Sequence, residues 1–170
     1  MSVNDKMEYY SIVKDILKHD EFQKRREYSH HGEISVYDHS LAVSKLSYTI
    51  AKKLKKDYKA AAIGGLLHDF YFKPWKELEK RPLLEKHGFV HAKEAVVNSY
   101  RYFPELMNGK IENIILRHMF PLNKIPPKYI ESWIIVLVDK YVSFEVLKEK
   151  HGLIEFFGFR KKEEKAWKTQ

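Results

Sequence analysis

The sequence predicts an all-α protein, a single-domain helical bundle around a central polar cluster. Three observations carry this. Almost every segment between the proline and glycine breaks places its apolar residues at helical spacing. No internal repeat, low-complexity stretch or long linker divides the 170 residues, a length that suits one domain with a real core. Finally, His39, His68, Asp69, His91, His118 and Asp139 each fall on or at the end of an apolar stretch, where an unpaired polar group is costly. The domain is read as spanning 1–170, with its core at about 30–148. Helices at 1–29 precede that core, and an extension at 149–170 follows it.

The first helix is expected over 5–18, with Tyr9, Ile12, Val13, Ile16 and Leu17 on one side. A short basic helix or turn, EFQKRREY, leads into the loop SHHGEIS. Ser35 is a plausible N-cap for a helix over about 37–56, whose apolar stripe is Val43, Leu46, Ile50 and Leu54. His39, four residues before Val43, points along the same face. A helix over about 59–70 carries alanines and the pair Gly64-Gly65, which permit close approach of neighbouring backbones at a cost in helix propensity. It ends on the doublet His68-Asp69. Beyond Pro74, Pro82 and Gly88, His91 opens a helix over about 90–103 and shares a face with Ala95, Asn98 and Tyr102.

The next helix begins near Lys110, and His118 closes its stripe of Ile111, Ile114 and Ile115. PLNKIPPK (121–128) reads as a rigid loop, with Pro127 suited to a helix start. The last long helix, about 128–148, is apolar nearly all round at WIIVLVDKYVSF, so a central position is expected for it. Asp139 within it then needs a cation or several hydrogen bonds.

Composition narrows the chemistry. Cysteine is absent, which removes thiolate ligands and disulfides and fits a reducing compartment. The start, MSVNDKMEYY, has no basic region followed by an apolar one, and no apolar run approaches the roughly 18 residues needed to cross a bilayer. A soluble, cytoplasmic chain without membrane partners is the expectation. The formal charge of +8 gathers in KKLKK (52–56), RKKEEKAWK (160–168) and Arg25-Arg26. Solvated faces explain most of it, and a positive field that draws an anionic substrate comes next. No motif for nucleic-acid binding accompanies it, so such a partner is not expected.

Four imidazoles and two carboxylates on separate segments converge only if the helices pack around one cavity. Imidazole and carboxylate together suit one or two divalent transition-metal ions, whether Fe, Mn, Co, Ni or Zn, and leave positions for water and substrate. His39, His68, Asp69 and Asp139 suffice for one ion. His91 and His118 complete a second, with Asp69 able to bridge.

His39 in YDHSLAVS, His68-Asp69 in GLLHDF and Asp139 in VLVDKY resemble the HD superfamily of metal-dependent phosphohydrolases, over about residues 30–148. His91 in FVHAKEA and His118 in ILRHMF match the extra histidines of its binuclear members. The layout looks close to the bacterial diadenosine tetraphosphate hydrolase branch, without a motif that secures it. MFPL after His118 departs from the Gly-Tyr-Pro element of the cyclic-di-GMP branch.

The resemblance implies an all-helical fold with metal at its centre, His68 and Asp69 in the catalytic machinery, and a small phosphorylated substrate, with a nucleotide the leading class. A di-iron oxygenase of the same superfamily and a non-catalytic metal- or nucleotide-binding sensor are the alternatives. Substrate contacts are expected from His31, Lys73, Arg117 and Lys140, since cations stabilise a transferring phosphoryl group.

Overall fold

The computed structural model describes residues 1–28, 34–72 and 87–149. Among these residues there is no strand. The helices are α1 (Val3–Lys18), α2 (Asp20–Gln23), α3 (Val36–Lys53), α4 (Tyr58–Leu67), α5 (His87–Tyr102), α6 (Gly109–Arg117) and α7 (Ile130–Glu149). A 3₁₀ turn, Lys24–Glu27, follows α2, and another, Pro104–Leu106, follows α5.

Local chemistry sets the helix starts. At α1, Ser2 Oγ accepts from the Asp5 amide at 3.1 Å while the Asp5 carboxylate accepts from the Ser2 amide at 3.1 Å, a reciprocal pair that satisfies two otherwise orphaned donors. Ser35 caps α3 through the Asp38 amide at 3.0 Å, as its sequence position suggests. Asp57 caps α4, and Asn108 caps α6 through the amides of Lys110 and Ile111.

The central helix is α4, not α7. Every residue from Ala60 to Leu67 is buried, and α4 packs against α1, α3, α5, α6 and α7. Its small residues permit this. A Cβ on Gly65 would lie 2.9 Å from Ser44 Cα on α3, and one on Gly64 would lie 2.4 Å from Ile114 Cγ2 on α6. The expectation that α7 occupies the centre is therefore corrected. That helix buries Ile134, Ile135, Val138 and Val142 but exposes Ile130, Trp133, Leu137, Tyr141 and Phe144.

The inward face of α3 also departs from its expected stripe. Val43 is buried, but Leu54 is 54% exposed, and Ser40, Ser44 and Ser47 face the interior. The cause is the close approach of α4, which leaves no room for larger side chains. Ser44 Oγ donates to the Ala62 carbonyl at 2.6 Å and accepts from the buried Tyr9 hydroxyl at 2.8 Å. One hydroxyl thereby ties α1, α3 and α4 together.

Two polar clamps hold the packing around the N-terminal end of α4. Buried Glu131 on α7 accepts from the Asp57 amide at 2.9 Å, and Lys110 on α6 donates to Asp57 Oδ2 at 3.0 Å. At the other clamp Lys52 on α3 reaches Asp5 at 2.7 Å and also Glu8 on α1. Tyr48 and Tyr58 donate to the two Glu8 oxygens, each at 2.8 Å.

A candidate metal centre

The packing of α3, α5, α6 and α7 around the C-terminal end of α4 brings His39, His68, Asp69, His91, His118 and Asp139 together. His39 lies in the first turns of α3, and Asp139 lies midway along α7. His91 sits in the second turn of α5, which begins at His87 rather than near residue 90. His68 and His118 occupy the same position on their helices, the C-cap of α4 and of α6. All four imidazoles and Asp69 are buried, and the Asp139 side chain is 13% exposed.

The two capping histidines are oriented by the same device. His68 Nδ1 lies 2.8 Å from the Gly65 carbonyl and His118 Nδ1 2.7 Å from the Ile115 carbonyl. A carbonyl only accepts, so Nδ1 carries the proton in both rings and Nε2 turns into the cluster. These carbonyls belong to the last helical turn, where intrahelical partners run out. A ligand histidine held by an outer carbonyl is a recurring arrangement in metal sites. Two helix C-termini also aim partial negative charge at the centre, which favours a cation there.

Asp69 divides the cluster. Its Oδ2 lies 3.8 Å from His39 Nε2 and 3.5 Å from His68 Nε2. Its Oδ1 lies 3.4 Å from His91 Nε2 and 3.6 Å from His118 Nε2. Asp139 Oδ1 joins the first group, 3.0 Å from His39 Nε2 and 3.6 Å from His68 Nε2. The remaining contacts are His39 to His68 at 3.3 Å and His91 to His118 at 2.9 Å, both between Nε2 atoms. One carboxylate thus presents each of its oxygens to a different pair of imidazoles.

The donor set fits a metal. Imidazole and carboxylate donors bind a divalent transition ion at about 2.0–2.2 Å, which places neighbouring donors about 3.0–3.6 Å apart. The separations here run from 3.0 to 3.8 Å in the first group and from 2.9 to 3.6 Å in the second. Both groups, His39-His68-Asp69 and Asp69-His91-His118, are thereby able to hold an ion.

The electrostatics agree. Burial draws the His68 imidazole towards neutrality, but Asp69 and Asp139 outweigh it and push the group up to about 9. Burial opposes ionisation of Asp139, yet hydrogen bonds from His39 and His68 hold it well below the usual carboxylate range. Burial, together with His91 and His68, brings His118 down to about 3. Positive charge is therefore wanted beside Asp139, while His118 offers a neutral imidazole, the form that ligates.

The remaining sequence expectations fare differently. Arg117 sits beside His118 at the end of α6, and its Nε is buried without a hydrogen bond. Lys140 is turned to backbone instead, with its ammonium 2.8 Å from the Phe120 carbonyl and 3.4 Å from that of Val136. Burial lowers its pKa, against the pull of Asp139. His31 and Lys73 lie outside the described residues.

Sequence reasoning passed over Tyr71, whose buried ring meets His91 at 5.9 Å between centroids. It also passed over Glu94, which accepts from the Phe72 amide at 3.1 Å. Their signal was weak. Tyr71 stands among aromatics, and Glu94 looks like an ordinary surface acid three residues after a histidine.

Residues 36–143 match the family model of the HD domain, more than half of the chain and a span that holds all six cluster residues. The chain belongs to the HD domain family, an all-α family whose members bind divalent metals and are typically metal-dependent hydrolases. No curated protein and no solved structure matches it.

Proposed function

We propose that the chain is a metal-dependent phosphohydrolase that cleaves a phosphate ester or anhydride in a small phosphorylated substrate, with a nucleotide as the favoured class. The observation that supports this best is the division of Asp69 between two imidazole pairs. His39, His68, Asp69 and Asp139 would hold one divalent ion, and His91 and His118 with the second Asp69 oxygen would hold another. When bound, such ions acidify water and neutralise phosphate oxygens.

The protein's own residues supply the rest. The Gly65 and Ile115 carbonyls fix the His68 and His118 rings, so their Nε2 atoms stay aimed without an entropic cost at each turnover. Asp139 is the cluster's most exposed member and remains ionised, so it orients an incoming water by accepting a hydrogen bond. Arg117, next to His118 at the end of α6, would be the cation that meets a phosphate oxygen. The net charge of +8 favours anionic substrates at long range.

A panel of nucleotides and phosphoesters, screened with Mn²⁺, Co²⁺, Ni²⁺ and Fe²⁺, tests the reading. Phosphate or nucleoside monophosphate release that depends on metal and is lost in Asp69→Ala is expected. Full phosphatase activity in metal-free Asp69→Ala would contradict it, as would oxygen consumption in place of phosphate release.

A further inference from the structure

The backbone that carries Asp69 leaves α4 and continues beside α5 as non-helical chain. Phe70 and Tyr71 are buried, so the polar backbone groups of this segment must find partners outside a helix. Side chains of α5 supply two of them. Asn98 Nδ2 donates to the Phe70 carbonyl at 2.9 Å, and Glu94 Oε1 accepts from the Phe72 amide at 3.1 Å.

Glu94 and Asn98 stand three and seven residues after His91, so the three share one face of α5. That face follows the segment from Asp69 to Phe72. His91 Nε2 lies 3.4 Å from Asp69 Oδ1, and its ring meets Tyr71 at 5.9 Å. Tyr102, on the same face, closes against the Phe72 ring at 5.6 Å. One helix therefore carries a candidate ligand and also grips the backbone that bears the carboxylate this ligand must meet.

Binding sites tolerate donor displacements of only about 0.5 Å, so the register of α5 along this segment decides whether His91 and Asp69 can share an ion. We infer that Asn98 and Glu94 are positioning residues for the second ion, fixing His91 against Asp69 Oδ1 and thereby setting the affinity of that half of the cluster. The inference rests on the two-ion reading of the site. The first half is held by other means. His39 and Asp139 are carried by α3 and α7, and the Gly65 carbonyl orients His68 at the end of α4. The Asn98 and Glu94 hydrogen bonds join none of these three helices to another.

Calorimetric titration of Mn²⁺ into the metal-free full chain tests this, because it reads the two affinities without turnover. Asn98→Leu and Glu94→Leu should each weaken the second ion by about 10–100-fold, the usual cost of losing an outer partner of a metal site, and leave the first unchanged. Glu94→Gln keeps an oxygen acceptor for the Phe72 amide and should match the wild type. Ser99→Ala is the control for general loosening of α5. It removes a buried hydroxyl that bonds only within the helix, to the Ala95 carbonyl, and should spare both ions. Glu94 is half-buried, so its variants keep the test open even where Asn98→Leu does not fold. Two ions bound by Glu94→Leu as tightly as by the wild type would overturn the inference and leave the two-ion reading standing. Equal weakening of both ions, or a loss in Glu94→Gln as large as in Glu94→Leu, would do the same. A wild type that binds a single ion would instead overturn the two-ion reading, and this inference with it.

Discussion

Asp69 is the residue on which both halves of the cluster depend. Each of its oxygens serves a separate pair of imidazoles, so removing the carboxylate costs both groups a ligand. Asp69→Ala should lower bound metal to well under one equivalent by elemental analysis, whereas His91→Gln should leave the group around His39 intact. A different residue test concerns Ser44, the hydroxyl shared by α1, α3 and α4. Ser44→Ala leaves the buried Tyr9 hydroxyl without its acceptor, and chemical denaturation should show a loss of about 1–3 kcal/mol. The two cases differ in legibility. The six cluster residues were readable because an imidazole or carboxylate interrupting an apolar stripe is conspicuous. Ser44 was not, because its burial follows from how closely α4 approaches, which no local pattern encodes.

Among the elements, α4 sets the architecture through the side chains it lacks. Gly65→Ala would drive a Cβ into the Ser44 backbone, which cannot yield as a flexible side chain can. A cost of about 1–3 kcal/mol is expected. Gly109→Ala is the control, since its added Cβ meets nothing within 4 Å. It should be neutral or slightly stabilising.

The α1–α3 clamp makes a prediction about pH. Hydrogen bonds from Lys52, then Tyr48 and Tyr58, hold the Glu8 carboxyl down to about 2 from an ordinary value of 4.5. A group depressed on folding stabilises above its unfolded pKa and loses that contribution as pH falls through the folded one. Thermal stability should therefore drop between pH 4.5 and about 2, and Glu8→Gln should flatten that part of the profile measured by circular dichroism. Existence and type of the long helices were legible from spacing alone. The place of α7 was misjudged because its sequence is apolar on both sides, and periodicity does not tell a buried face from an exposed one.

For the whole molecule, the six residues are drawn from the first turns of α3, the ends of α4 and α6, the second turn of α5 and the middle of α7. Their meeting is a property of the packed bundle, and the family match over 36–143 spans all of them. Metal stoichiometry is the most direct measurement of whether the cluster is binuclear. Protein purified without chelators, saturated with Mn²⁺ or Fe²⁺ and freed of excess, should retain about two ions per chain. His91→Gln and His118→Gln should each lower this towards one and reduce turnover more than substrate binding, because the second ion's charge matters most in the transition state. A fully active protein with one ion per chain, unchanged in metal content by either substitution, would contradict the binuclear centre.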